Sequence, residues 1–126
     1  MKKILIAEDN RVNLRMLTFT LNKGGHEVVP AMDGQEALDH LTDNPVDLLI
    51  ADIDMPNMDG ITLLKHLRAL DHYKELPVIV LTASGEDEDY VTAREAGAND
   101  VLTKPTSSYE LFETVNKMLG LSGSSI

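Results

Sequence analysis

Short apolar runs alternate along this chain with longer stretches in which apolar residues recur at helical spacing. The short runs are continuous and rich in Ile, Leu and Val, a pattern typical of strands buried on both faces of a parallel sheet. The predicted strands are residues 4–7, 27–31, 47–51, 78–81 and 100–103. The predicted helices are residues 11–23, 33–41, 60–70, 86–96 and 107–119. This alternation predicts an α/β fold, a doubly wound five-stranded parallel sheet with five helices.

Turn and capping residues separate the predicted elements. Gly24 and Gly25 end the first helix, and Asp59 is placed to cap the third. The acidic residues 86–89 begin the fourth helix, where negative charge suits the positive end of the helix dipole. Residues 121–126 are rich in Ser and Gly, so we expect one domain over residues 1–120 followed by a flexible tail or truncated linker.

Composition narrows the classes of function. A chain of 126 residues without cysteine predicts one domain and excludes a disulfide scaffold, a thiolate zinc site and a cysteine nucleophile. No apolar run is long enough for a membrane span, and the run that ends before Glu8 is too short for a secretion signal, so we expect a cytoplasmic location. The formal charge of −10 would repel a phosphate backbone, so direct nucleic-acid binding is not expected.

Four of the predicted strands lead into residues suited to phosphoryl chemistry. Glu8 and Asp9 follow the first strand, Asp52 the third, Thr82 the fourth and Lys104 the fifth. Because the carboxyl ends of parallel strands meet at one edge of a sheet, we expect these side chains to converge. Carboxylates can hold a divalent ion such as Mg²⁺, and the hydroxyl and the ammonium can neutralise a phosphoryl group. The pattern therefore predicts a phosphorylation switch.

Four motifs in this order resemble the receiver domains of two-component response regulators. They are Ala7-Glu8-Asp9-Asn10, Ala51-Asp52-Ile53-Asp54-Met55-Pro56-Asn57-Met58-Asp59-Gly60, Thr82-Ala83 and Lys104-Pro105. Each motif is weak alone, but all four at successive strand ends are highly specific, and the resemblance extends to about Leu119. It implies a flavodoxin-like fold of the receiver type.

The resemblance also implies roles for the rim residues. Asp52 would accept a phosphoryl group from a histidine of a sensor histidine kinase or a histidine phosphotransfer protein. Asp9 and Asp52 would bind Mg²⁺ directly, Glu8 through water and Asp54 through its backbone carbonyl. Lys104 would bridge to Asp52 and later to the phosphoryl group. Such a domain catalyses only its own phosphorylation and dephosphorylation, so we expect a signalling switch and not an enzyme with a separate substrate.

The switch itself is implied in the same way. Thr82 would move toward the phosphoryl group and carry with it the loop that begins at Ala83. In the family, the peptide bond between residues like Lys104 and Pro105 is cis. Val101 stands where the family usually has an aromatic residue that swings inward, so we do not expect the usual aromatic readout.

The resemblance implies two interaction faces. Asn13 and Met16 lie on the first helix beside the acidic pair, where receivers dock the helical bundle that carries the phosphohistidine; a core role for Met16 is equally open. The fourth helix, fifth strand and fifth helix are expected to form an output face or a homodimer face. The sequence names no downstream effector and contains no visible output domain.

Three alternatives remain open. Glu8 and Asp9 could merely cap the following helix. The domain could be a degenerate receiver that binds partners without phosphorylation, for which Val101 is the main support. Asp52-Ile53-Asp54 also matches the start of haloacid-dehalogenase-type phosphatases, although here it lies on the third strand, without a cap domain or a role for the acidic pair.

Overall fold

A computed structural model describes residues 2–83 and 87–120, and within them five parallel strands form one sheet in the order β2-β1-β3-β4-β5. The strands are β1 Lys3–Ala7, β2 Glu27–Ala31, β3 Leu48–Asp52, β4 Val78–Thr82 and β5 Asp100–Thr103. The helices are α1 Arg11–Lys23, α2 Gly34–Asp43, α3 Gly60–Arg68, α4 Asp87–Ala96 and α5 Ser108–Met118, with a 3₁₀ turn at Asp71–Tyr73. The predicted fold class is confirmed.

Two apolar layers cover the sheet, one on each face. Successive side chains of a strand point to opposite faces, so Ile4 and Ile6 join one cluster while Leu5 joins the other. The first cluster includes α1 and α5 through Leu17 and Leu111, and the second is covered by α2, α3 and α4. Burial on both faces explains why the inner strands read as continuous apolar runs. No helix in the described parts of the chain is long and apolar enough to cross a membrane.

The observed elements agree closely with the predicted ones, and the differences fall at their ends. The third helix ends at Arg68 and not at residue 70, and the 3₁₀ turn was not predicted. Arg68 donates hydrogen bonds to the carbonyl oxygens of Tyr73 (2.7 Å) and Gly97 (2.8 Å), contacts that a local sequence pattern does not show. The predicted tail, residues 121–126, and residues 84–86 lie outside the described residues.

The loop between β3 and α3 is fastened to the start of α2. The backbone N–H of Gly34 donates to the carbonyl of Met58 at 3.0 Å, and the Asn57 amide donates to Asp33 Oδ2 at 2.7 Å. A Cβ at Gly34 would lie 2.4 Å from the Met58 carbonyl oxygen, so only glycine allows this close approach. Asn57 adopts a φ of 67°, which asparagine tolerates better than most residues. These contacts hold the loop that follows Asp52 in place.

Candidate functional site

The predicted rim residues meet at the carboxyl edge of the sheet. β3 lies between β1 and β4, so Asp52, the last residue of β3, is flanked by Glu8 after β1 and by Thr82 at the end of β4. Asp52 is 2% exposed, Glu8 is completely buried and Thr82 is also buried, whereas Asp9 is exposed. A buried carboxylate needs a compensating charge or hydrogen bond, so cations or hydrogen-bond donors are expected beside Asp52 and Glu8.

Lys104 supplies one such cation. Its Nζ lies 2.8 Å from Asp52 Oδ2 and 3.5 Å from Glu8 Oε1. Burial alone would lower the pKa of Lys104, but the hydrogen bond and the negative charge of Asp52, helped by Glu8, outweigh it and raise that pKa above its usual 10.5. The backbone N–H of Lys104 donates to the carbonyl of Thr82 at 2.7 Å, and the Lys104–Pro105 peptide bond is cis. Lys104 is therefore held as a charged group against both buried acids.

One ammonium does not neutralise the acidic cluster. Carboxylate oxygens of Glu8, Asp9 and Asp52 all lie within 4.8 Å of one another. Burial, followed by the contact with Asp52, raises the pKa of Glu8 from 4.5 to about 7, although the Asn10 N–H that donates to it acts in the opposite direction. Three clustered carboxylates are the oxygen donors that a hard divalent ion prefers, and such an ion would relieve their repulsion. The residues present therefore fit Mg²⁺.

The loop after β3 completes the mouth of the site. The backbone N–H of Asp54 donates to Asp52 Oδ1 at 3.3 Å, so both oxygens of the Asp52 carboxylate have a partner. The Asp54 side chain is exposed and lines an open depression together with Asp9 and Asp59. The carboxylate at the end of the central strand is thus oriented by two donors, Lys104 and the Asp54 N–H.

Gly60 is a positioning residue whose role does not follow from the sequence pattern. A Cβ at this residue would lie 2.2 Å from the carbonyl oxygen of Asp52, a contact that real Cβ atoms do not make. The Gly60 N–H also donates to the carbonyl of Ile53 at 3.0 Å, which turns the loop back over the strand end. The Asp59-Gly60 pair was visible as a turn signal, but its closeness to Asp52 depends on the tertiary structure.

Two local alternatives are wrong. The cap of α1 is Asn10, whose side chain accepts a hydrogen bond from the backbone of Asn13 at 2.9 Å, so capping does not explain Glu8 and Asp9. Met16 is 60% exposed and therefore not a core residue. By contrast, Asp59 caps α3 as predicted, since its carboxylate accepts from the Thr62 N–H at 2.7 Å.

Of the predicted interaction residues, those on α1 and Pro105 lie beside Lys104, while the others lie elsewhere on β5 and after β4. Asn13 and Met16 line a small cleft of about 60 Å³ whose other wall includes Lys104 and Pro105. Val101 is half-buried in β5 and packs against the apolar cluster on the α3 side. Ala83, directly after β4, is exposed.

Comparison with known proteins gives consistent matches. The sequence model of the response regulator receiver domain matches residues 4–116. The chain is 39% identical to the transcriptional regulatory protein PrrA of Mycobacterium tuberculosis, over 97% of this chain and 52% of that protein. It is 38% identical to a chemotaxis protein CheY homolog of Campylobacter jejuni, over 94% of this chain and 92% of that protein. The chain thus spans about half the length of PrrA and nearly all of the CheY homolog.

Solved structures agree with this result. The receiver domain of the sensor histidine kinase PA1611 from Pseudomonas aeruginosa superposes with a TM-score of 0.88 at 30% identity, covering 94% of this chain and 98% of that one. That structure has a magnesium ion coordinated in its active site cleft. The similarity therefore covers the fold over nearly the whole of both chains.

Proposed function

The chain belongs to the response regulator receiver domain family, and we propose that it is a phosphorylation switch of a two-component system with Asp52 as the phosphoryl acceptor. The contact between Lys104 Nζ and Asp52 Oδ2 at 2.8 Å, beside the buried Glu8 and the exposed Asp9, is the observation that carries this proposal. This arrangement provides an oriented acceptor oxygen on Asp52 and a fixed cation, Lys104. The neighbouring carboxylates provide a place for a second cation.

The chain's own residues orient and neutralise the reactants. Lys104 and the Asp54 N–H each hold one oxygen of Asp52, which limits rotation of the carboxylate. A carboxylate oxygen attacks the phosphorus while the bond to the donor histidine breaks, and the histidine leaves with its electron pair. Lys104 then turns to the phosphoryl oxygens, and the Thr82 hydroxyl donates to one of them. Positioning and charge neutralisation supply most of the catalysis in such a site.

Mg²⁺ fits the same residues and, when bound, supplies positive charge between the two anions. Asp9 and Asp52 would hold it directly, Glu8 would hold it through water and Asp54 would contribute its backbone carbonyl. Support for this assignment comes from the three carboxylates within 4.8 Å of one another and from their hard oxygen donors. The magnesium in the PA1611 receiver domain supports it as well.

A sensor histidine kinase or a histidine phosphotransfer protein donates the phosphoryl group. We place its docking face at Asn13 and Met16, because both line the cleft that leads to Lys104 and Met16 is exposed. The domain catalyses only its own phosphorylation and dephosphorylation, and it acts in the cytoplasm.

The phosphorylated state is read through the end of β4 and the elements that follow it. Thr82 moves toward the phosphoryl group and carries the loop from Ala83 with it, and α4, β5 and α5 form the output or homodimer face. Tyr90 and Val91 on α4 are exposed apolar residues that suit such a face. Val101 has no ring to swing, so the signal passes through Thr82 and the loop. The downstream effector stays unassigned.

Phosphorylation by acetyl phosphate, followed by intact mass, tests the proposal. Wild type should form an adduct only with Mg²⁺, and Asp52→Asn should form none. Asp71→Asn, an exposed carboxylate on the 3₁₀ turn, is the matched control and should react like wild type. A folded wild type without adduct would indicate a degenerate receiver, and turnover of phosphate esters would instead indicate a phosphatase.

A further inference from the structure

The loop between β3 and α3 contains a tight turn at residues 56–58. The Met58 N–H donates to the carbonyl of Pro56 at 2.7 Å, and Asn57 between them has a φ of 67°. A three-residue turn with a positive φ at its centre is rare and strained. Asparagine tolerates such a φ better than most residues, but a strained turn persists only where the surrounding structure holds it.

The contacts that hold this turn come from the start of α2. The side-chain amide of Asn57 donates to Asp33 Oδ2 at 2.7 Å, across 24 positions of the sequence. The Gly34 N–H donates to the carbonyl of Met58, the last residue of the turn, at 3.0 Å. The turn is therefore fastened to a different element of the fold, and its geometry depends on the position of α2.

The Asp33 carboxylate binds both elements at once. Its Oδ1 accepts from the Glu36 N–H at 2.8 Å, which caps α2, while its Oδ2 accepts from Asn57. The bond from the Glu36 N–H, followed by the bond from Asn57, lowers the pKa of Asp33 below its usual 3.8. Asp33 is therefore a charged acceptor at neutral pH, and the helix that it caps fixes its position.

The same loop borders the depression that Asp9 and Asp54 line. Met55 and Met58 are partly buried and pack against the apolar cluster on the α3 side of the sheet. In the proposed function the backbone carbonyl of Asp54 is a ligand of Mg²⁺, and Asp54 stands three residues before Asn57. A turn that relaxed to an ordinary φ would displace this carbonyl from the acidic cluster.

We propose that Asp33 is a positioning residue for the divalent-ion site, acting through its hydrogen bond to Asn57. The bond holds the strained turn, and the turn keeps the Asp54 carbonyl where an ion between Asp9 and Asp52 can reach it. Asp33 is not one of the three clustered carboxylates, so it acts on the ion only through the loop. This inference rests on the proposed function, because it concerns the ion that the phosphorylation requires.

An exchange of the two side chains tests the bond. Asn57→Asp sets two carboxylates against each other and should raise the Mg²⁺ dissociation constant at least about tenfold, as the loss of an outer hydrogen bond at a metal site typically does. An added carboxylate would by itself attract Mg²⁺, so a weaker affinity is not a simple effect of charge. The double variant Asp33→Asn with Asn57→Asp again places a donor against an acceptor, at the wild-type net charge, and should recover the wild-type affinity.

Backbone amide NMR spectra recorded during a Mg²⁺ titration of the full chain give the dissociation constant and show whether each variant is folded. Asn57→Gly removes the side-chain bond but accepts a positive φ without strain, so it should also bind Mg²⁺ more weakly, and it tests the bond even if Asn57→Asp fails to fold. Asn22→Asp adds the same charge at an exposed position of α1, and as the matched control it should bind Mg²⁺ like wild type.

Acetyl phosphate labelling provides a second readout that a general loss of stability would not change. The Mg²⁺ concentration at half-maximal labelling should rise in Asn57→Asp, and saturating Mg²⁺ should restore the labelling, because the ion favours the loop position that binds it.

Three results would overturn the proposal. Unchanged Mg²⁺ affinity in folded Asn57→Asp and Asn57→Gly would remove the positioning role of Asp33 and leave the proposed function intact. A double variant that binds Mg²⁺ as weakly as Asn57→Asp would show that the bond between the two side chains is not the cause. A wild type that binds no Mg²⁺ would overturn the proposed function as well.

Discussion

Glu8→Gln should stabilise the metal-free domain at alkaline pH. Glu8 is completely buried, and burial together with the neighbouring Asp52 raises its pKa from 4.5 to about 7. Glutamine keeps the size of the side chain and can still donate to Asp52, as a protonated carboxyl would, but it never ionises. The substitution therefore removes the cost of the buried charge, and it also exchanges for an NH₂ one of the two oxygens that accept from the Asn10 N–H and from Lys104.

The direction and the size of the change in unfolding free energy follow from the pKa of Glu8 in the unfolded chain, 4.5, and in the folded chain, about 7. Between about pH 4.5 and 7 the folded chain binds the Glu8 proton and the unfolded chain does not, so stability falls as the pH rises through this window. One pKa unit corresponds to about 1.4 kcal/mol, so wild type loses up to about 3 kcal/mol of unfolding free energy that the variant keeps. The two proteins should have similar stability near pH 4.5 and differ most above pH 7.

Urea unfolding followed by circular dichroism, at several pH values and with EDTA present, measures the effect. The informative quantity is the difference between variant and wild type at each pH, because the contributions of the other titrating groups cancel in it. Glu27→Gln, an exposed glutamate on β2, is the matched control and should give a flat difference. A Glu8→Gln profile that runs parallel to wild type between about pH 4.5 and 7 would show that the pKa of the buried Glu8 is not raised in the folded state, contrary to this prediction.

Three further predictions can be checked in the same unfolding assay. Gly60→Ala should lower the unfolding free energy by about 1–3 kcal/mol, because the added Cβ would clash with the carbonyl of Asp52 and the loop would have to move. A variant as stable as wild type would contradict the close approach of Gly60 to Asp52. Asn116→Ala should lower it by about 1–3 kcal/mol, because it removes the 3.0 Å hydrogen bond to the buried His26, and a neutral result would contradict that bond. Lys104→Met should destabilise the metal-free domain at neutral pH by leaving Asp52 and Glu8 without their ammonium, and Mg²⁺ should restore part of the loss; an unchanged stability would show that the ion pairs contribute nothing.

The fold could be predicted because the patterns that specify it are local. Continuous apolar runs such as residues 48–51 mark strands covered on both faces, and the helical repeats between them impose crossovers. The convergence of Asp52 and Lys104 followed from the same reasoning, since the carboxyl ends of parallel strands share one edge. The resemblance to receiver domains then implied roles for residues such as Thr82 and Lys104, whose functions composition alone does not indicate.

The ends of elements were harder to predict, because their contacts are distant in sequence. Arg68 is the last residue of α3, and its side chain donates a hydrogen bond to the carbonyl of Gly97, which lies 29 residues away. The cap of α1 is Asn10 and not the acidic pair before it, and the local pattern of oxygen-bearing side chains does not distinguish them.

The order of the strands and helices, and the side chains that stand at the strand ends, can be inferred from the amino-acid sequence. The folded chain is needed to see that Glu8 is buried while its neighbour Asp9 is exposed, that Gly60 must lack a side chain, and that Tyr109 lies beside a groove. Periodicity and turn chemistry act between residues a few positions apart, so they can be read along the chain. Burial and pairing depend on residues brought together from afar, such as Lys104 and Asp52, which are 52 positions apart, and these exist only once the chain has folded.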